Sequence, residues 1–236
     1  MKEEKSSHWL NKRRIITITV IVIIFISVWS YKPYYFKSDP LELMYIGIYY
    51  LSNDKYDDAV RTFKKATEHK ESSELYYYYA RSLFESGQVE KTLEKIEKSI
   101  ALNPNNGDAY IVLGDYYYAN NNKENAEMYY KKGLKLKPSS YAFYKAGKFY
   151  YLEGKTDDAF EYLSKSKDLN PENLELYPYL AEVYTKKGLF VSAFDIYEYY
   201  LNAKSMKGIP YSFLLTEEAE QIRKKLRLLR DMAGEA

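Results

Sequence analysis

The sequence predicts an all-α protein: about five helix hairpins stacked as a solenoid, closed by a C-terminal helix and preceded by one transmembrane helix. Three observations predict it. A pattern of small and large residues returns five times at intervals of 33 or 34 residues. An uncharged run, IITITVIVIIFISVWS at residues 15–30, directly follows Lys12-Arg13-Arg14. Near the other end, acids give way to bases along residues 217–230, the signature of one more amphipathic helix. At 236 residues the chain is long enough for one or two cored domains.

Residues 1–14 form a basic tail of net charge +3, which leaves −1 for the remainder of a chain whose formal charge is +2. Tyr31 extends the uncharged run to residues 15–31, the short end of what crosses a hydrocarbon core about 30 Å thick. Arg14 and Lys32 can snorkel from its ends. Trp29, Tyr31, Tyr34 and Tyr35 gather where amphipathic rings favour a headgroup boundary. The run is apolar on every face, unlike a core helix, and Val28-Trp29-Ser30-Tyr31 offers no small-residue cleavage site. An uncleaved signal anchor is therefore expected, followed by a juxtamembrane linker at 32–39. Lys2, Lys5, Lys12, Arg13 and Arg14 outnumber Lys32 and Lys37 on the far flank. That bias puts the N-terminus in the cytoplasm and the repeats outside it, on the periplasmic or extracellular side of a plasma or inner membrane.

The repeat is read from its small residues, Gly47, Ala80, Gly114, Gly147 and Ala181. Twelve residues later stand Ala59, Thr92, Ala126, Ala159 and Ala193, and four further on Phe63, Ile96, Tyr130, Leu163 and Tyr197. Large residues flank each small one, four before it (Leu43, Tyr76, Tyr110, Phe143, Tyr177) and three after it (Tyr50, Leu83, Tyr117, Tyr150, Tyr184). Pro104, Pro138 and Pro171 close three of the units. Each unit reads as two amphipathic helices that turn near Asp54, Gly87, Asn121, Gly154 or Gly188. A single hairpin of this kind cannot bury its apolar face, so the units must stack.

This pattern resembles the tetratricopeptide repeat, with units at 40–72, 73–106, 107–139, 140–173 and 174–205. The resemblance implies a right-handed superhelical solenoid. Glu71 and Ser205 replace the terminal proline, and Tyr200 stands where a small residue is usual; these are expected end effects. The Thr92 hydroxyl is a milder departure that a helix interior absorbs by bonding a carbonyl. Residues 206–236 comprise a loop and a capping helix. Thr216 is its N-cap, Glu217, Glu218 and Glu220 its first turn, and Ala219, Ile222, Leu226 and Leu229 its apolar stripe. Five basic residues from Arg223 to Arg230 are matched by the acids around them, so the helix is expected to cover the last repeat rather than bind nucleic acid.

The resemblance also implies a concave groove lined by the first helix of each unit. Carried over, its centre holds Tyr77, Arg81, Phe84, Asp115, Tyr118, Tyr141, Tyr144, Lys148 and Tyr151. Rigid aromatics among mixed charges suit a protein or peptide partner. No asparagine stands at any groove position, which argues against a clamp for chaperone tails. The linker or a neighbouring copy could fill the groove instead, so a homo-oligomer stays open. A separate expectation concerns the first repeat helix, which has almost no polar face. Leu41, Met44, Ile48 and Leu51 are expected to contact the membrane surface, an anchor-proximal segment or another subunit.

No catalytic pattern is present. The chain lacks cysteine and has only His8 and His69, which excludes disulfides and thiolate metal sites and leaves little imidazole chemistry. Phosphate-binding, dinucleotide, zinc-hydrolase and EF-hand motifs are missing. Asp57-Asp58 and Asp157-Asp158 open second helices, where they complement the helix dipole rather than form a catalytic dyad. Neither an enzyme, a metal site, a cofactor nor nucleic-acid binding is expected. The expected role is a membrane-anchored scaffold or adaptor that holds partner proteins for envelope assembly, transport or secretion. The alternatives are a constitutive subunit of a larger membrane complex, and cytosolic display of the repeats. Tyrosine, 29 residues in all, divides among repeat packing positions, the anchor flank and the groove.

Overall fold

The chain reverses at five points where one residue adopts a left-handed backbone: Asp54, Gly87, Asn121, Gly154 and Gly188, with φ between 56° and 79°. Glycine reaches that conformation freely, and Asp and Asn are the side chains that tolerate it best. All five are the turn positions read from the repeat. Around them run ten helices in pairs: α1 (Pro40–Ser52) and α2 (Tyr56–His69), α3 (Ser73–Glu85) and α4 (Val89–Leu102), α5 (Gly107–Ala119) and α6 (Lys123–Leu134), α7 (Ser140–Leu152) and α8 (Thr156–Leu169), α9 (Tyr177–Lys186) and α10 (Phe190–Met206). The final helix, α11, spans Glu217–Ala233.

The computed structural model describes residues 39–136, 138–206 and 216–234, and they fall into two units that divide between Lys70 and Glu71. The basic tail, the proposed anchor, residues 32–38 and the loop 207–215 lie outside the described residues. Among the described residues, no helix is long and apolar enough to cross a membrane.

In the first unit, the Asp39 carboxylate accepts the Leu41 N–H at 3.0 Å and starts α1. Gly47 lets α1 approach α2 so closely that a Cβ there would sit 2.5 Å from the Phe63 ring. Leu43, Leu51, Ala59, Phe63 and Ala66 are buried.

The second unit repeats this pairing of a small residue on the first helix with a large one on the second. Gly147 lies against Leu163 and Gly114 against Tyr130. Thr92 is fully buried and donates its hydroxyl to the Gln88 carbonyl at 3.4 Å, so the chain absorbs the one polar substitution at that position. Ser99 and Ser166 bond back to the start of their own hairpins, donating to the carbonyls of Ser73 and Ser140 at 2.7 and 2.8 Å. The fifth hairpin opens on a 3-10 turn, Leu174–Leu176, and α9 begins only at Tyr177. Pro178 then falls in the first helical turn, where its missing N–H costs nothing.

The C-terminal helix packs on α10. Thr216 accepts the Ala219 N–H at 3.3 Å, and Gly234 ends the helix in a left-handed cap. Ala219, Ile222 and Leu229 are buried in the same apolar cluster as Leu180 and Tyr197. Tyr200, oversized for its repeat position, is buried there too and donates to Glu218 at 2.7 Å. A helix waiting above the last hairpin is what makes room for a large side chain with a polar tip.

Candidate functional site

The site lies in the second unit, where α5 packs beside α3 and α7. α5 is apolar nearly all round, and Ala109 to Asp115 are buried without interruption. Asp115 is therefore a carboxylate inside a core, and burying it without partners would be costly. Tyr130 donates its hydroxyl to Asp115 Oδ1. Lys145, buried on α7, brings its ammonium to 3.3 Å from Oδ2, an ion pair without hydrogen-bond geometry. The same ammonium donates to Glu85 Oε1 on α3 at 3.0 Å. Tyr141 adds a second donor to that oxygen at 3.1 Å, and the Arg81 guanidinium stacks over the Tyr141 ring, 3.7 Å from its centroid.

The result is an alternating series, Arg81, Glu85, Lys145 and Asp115, with two charges of each sign. Burial pushes the Asp115 carboxyl above its ordinary range, and Lys145 and Tyr130 offset this only in part. Burial acts the same way on Glu85, but Lys145 and Arg81 outweigh it and hold that carboxyl low. Lys145 is disfavoured by burial yet kept protonated by the two carboxylates it faces. Its bond to Glu85 joins the second hairpin to the fourth and passes over the third.

Beside this series is a cavity of about 200 Å³. Four of the expected groove residues, Phe84, Asp115, Tyr118 and Lys148, line it, together with Ala119, Tyr130, Lys145, Phe149 and Leu152. Tyr118 stands edge-on to Phe149, 5.2 Å between centroids, and its hydroxyl reaches Glu153 at 3.3 Å. Lys148 lies 5.1 Å from the Tyr179 ring, and among the described residues no carboxylate pairs with it. Tyr151 meets Tyr179 edge-on and carries the Lys186 ammonium 4.2 Å from its ring centre. Arg81 and Tyr141 are half-buried and flank the cavity without lining it.

Two expected groove residues are packed instead. Tyr77 is 5% exposed, in a cluster with Ala109, Val112 and Leu113 of α5; Tyr144 is equally buried, in a cluster with Leu176 and Leu180. The next first helix closes over each of them. Four contributors were missed: Tyr130, read as a packing residue, and Lys145, Phe149 and Tyr179. They stand at repeat positions outside the groove set that the resemblance supplies, and only the charge of Lys145, on an otherwise apolar stretch, gave a signal.

In the first unit, Leu51 is buried rather than available for an outside contact, because it shares the α2-facing side with Leu43 and Gly47. Met44 and Ile48 are half-buried. The exposed apolar strip is Leu41, Tyr45 and Tyr49, at 51, 63 and 59% exposure, with Ile46 beside it at 38%. Tyr45 and Tyr49 belong to the nearly all-apolar helix read from the sequence but not to the expected contact set, although their i+4 spacing from Leu41 was there to be read.

Stacked hairpins with a side-chain-lined groove define a helical-repeat interaction module. Models of the tetratricopeptide repeat match residues 46–107, 107–140 and 141–173, together more than half of the chain. The chain belongs to the tetratricopeptide-repeat family, whose repeats imply a protein–protein interaction scaffold. Among solved structures it is similar to a thermophilic tetratricopeptide protein of Thermus thermophilus, with 21% identity over 80% of this chain and 98% of that one, at a TM-score of 0.60. It is also similar to PilF of Pseudomonas aeruginosa, with 20% identity over 80% and 88% of the two chains, at a TM-score of 0.55. Human IFIT1, solved as a dimer with m7Gppp-AAAA, matches at 20% identity and a TM-score of 0.62; the alignment spans 83% of this chain but only 47% of IFIT1. At these identities the likeness is one of fold. No curated protein matches the sequence.

Proposed function

We propose that this chain is a membrane-anchored tetratricopeptide adaptor that works by binding, not catalysis. Residues 15–31 are its uncleaved anchor, residues 1–14 lie in the cytoplasm, and the repeats hold a protein or peptide partner outside it, in envelope assembly, transport or secretion. One observation supports the binding role most: the cavity beside Asp115 has aromatic walls, and its Lys148 ammonium is unmatched by a carboxylate among the described residues. A partner segment would place an apolar side chain between Phe84, Tyr118 and Phe149. A benzophenone amino acid at Tyr118, on the half-buried rim, is expected to capture one defined partner in cells, and Phe84→Asp to abolish the adduct. Capture that is diffuse, or indifferent to Phe84→Asp, refutes the groove assignment. Orientation is tested on the cysteine-free chain with single cysteines. Ala236→Cys should react with an impermeant reagent before permeabilisation and Ser7→Cys only after it; the reverse order gives cytosolic display.

The exposed strip on α1 favours a second reading, a constitutive subunit fixed to a larger complex through its anchor and first repeat. A fixed subunit co-purifies in constant stoichiometry, whereas an adaptor purifies alone and rebinds reversibly.

A further inference from the structure

We infer that the Leu41–Tyr45–Tyr49 face of α1 lies in the headgroup layer of the bilayer, so that the first hairpin rests on the membrane. This deepens the anchor reading of residues 15–31 and rests on it. α1 carries a single charged residue, Glu42, and shows two apolar sides. One side is closed by α2, through Leu43, Gly47 and Leu51. The other leaves three large side chains more than half exposed at i, i+4 and i+8. α2 differs: its outward side bears Arg61, Lys64, Lys65 and Glu68, all of them exposed. The hairpin therefore has one side suited to water and one that is not.

Chain length and chemistry select the occupant. Between the uncharged run and α1 stand only residues 32–39. Eight residues reach no further than about 28 Å when fully extended, so α1 cannot leave the neighbourhood of a membrane that the run enters. Two tyrosines offer an apolar ring with a polar tip, which matches the interface better than the hydrocarbon interior. A second copy fits less well: four partly exposed side chains fall short of the roughly 600 Å² that each partner gives to a stable interface.

The test uses the full-length chain in vesicles of phosphatidylethanolamine and phosphatidylglycerol, with one environment-sensitive fluorophore on a single cysteine. Tyr45→Cys is expected to be quenched by shallow spin-labelled lipid about twofold or more beyond Arg61→Cys, on the opposite side of the same hairpin. Equal quenching at the two positions overturns the proposal. So does a Tyr45→Cys label that escapes the lipid quencher and instead self-quenches as protein density rises, which would place a second copy on the strip. Ile23→Cys, probed with deep spin-labelled lipid, separates the two levels. If Ile23→Cys is quenched and Tyr45→Cys is not, the docking of α1 fails alone; if neither is quenched, the anchor reading fails and the docking with it.

Discussion

α1 and α5 are each thirteen residues long, each has a glycine at its eighth position, and neither has a continuous polar face. Their surroundings differ sharply. α5 buries eight of its residues among α3, α6 and α7, whereas α1 buries three. An all-round apolar helix demands cover. For α5 the fold supplies it on every side, even enclosing Asp115 with a matching lysine. For α1 its own unit supplies one side only. Composition thus announces the need for a partner surface, and only the arrangement of neighbours says whether it lies within the described chain.

The comparison is broken most severely at the lysine that makes the burial of α5 tolerable. Lys145→Met leaves the buried Asp115 without its cation and Glu85 with Arg81 alone, and should cost about 3–5 kcal/mol in urea unfolding of the full chain in detergent. A loss near zero would mean that packing alone holds α5. Next comes backbone approach. A Cβ at Gly107 meets the Gly133 carbonyl oxygen at 2.8 Å, whereas one at Gly47 meets the far end of the Phe63 ring. Gly107→Ala is expected to cost about 1–3 kcal/mol and Gly47→Ala less, since a ring tilts more readily than a backbone shifts.

Acid sharpens the picture further. The Glu85 carboxyl is held low in the folded chain, so its stabilisation is present above the unfolded value and lost as pH falls through the folded one. Acid unfolding below about pH 4 should be shallower in Glu85→Gln. Asp115, pushed up by burial, acts in the opposite sense and gains stability on protonation. The smallest effect belongs to α1. Tyr45→Asp with Tyr49→Asp should leave unfolding within about 0.5 kcal/mol of the parent, while the anchored chain loses the contact of α1 with the bilayer surface.

Much of the fold was legible in the sequence alone. The chain reverses at the five turn residues read from the repeat, Thr92 bonds a carbonyl as expected, and Thr216 caps the last helix. These are local features, decided within one hairpin or one helix turn. The cavity was legible only in part because it is made between helices. Tyr77 and Tyr144 occupy groove positions on their own helices but are covered by the next ones. Phe149 and Tyr179 occupy positions with no assigned role and still reach the site, because long aromatic side chains cross from one hairpin to its neighbour.

Repeat proteins are commonly treated as beads in which each unit touches only the adjacent ones, so that units can be deleted, duplicated or exchanged. The bond from Lys145 to Glu85, sixty residues apart, breaks that modularity. With Asp115 between them, the second, third and fourth hairpins hold complementary thirds of one electrostatic unit. Swapping the third hairpin for a consensus copy would remove one of the two carboxylates that face the buried lysine, so these three repeats are best exchanged as a block.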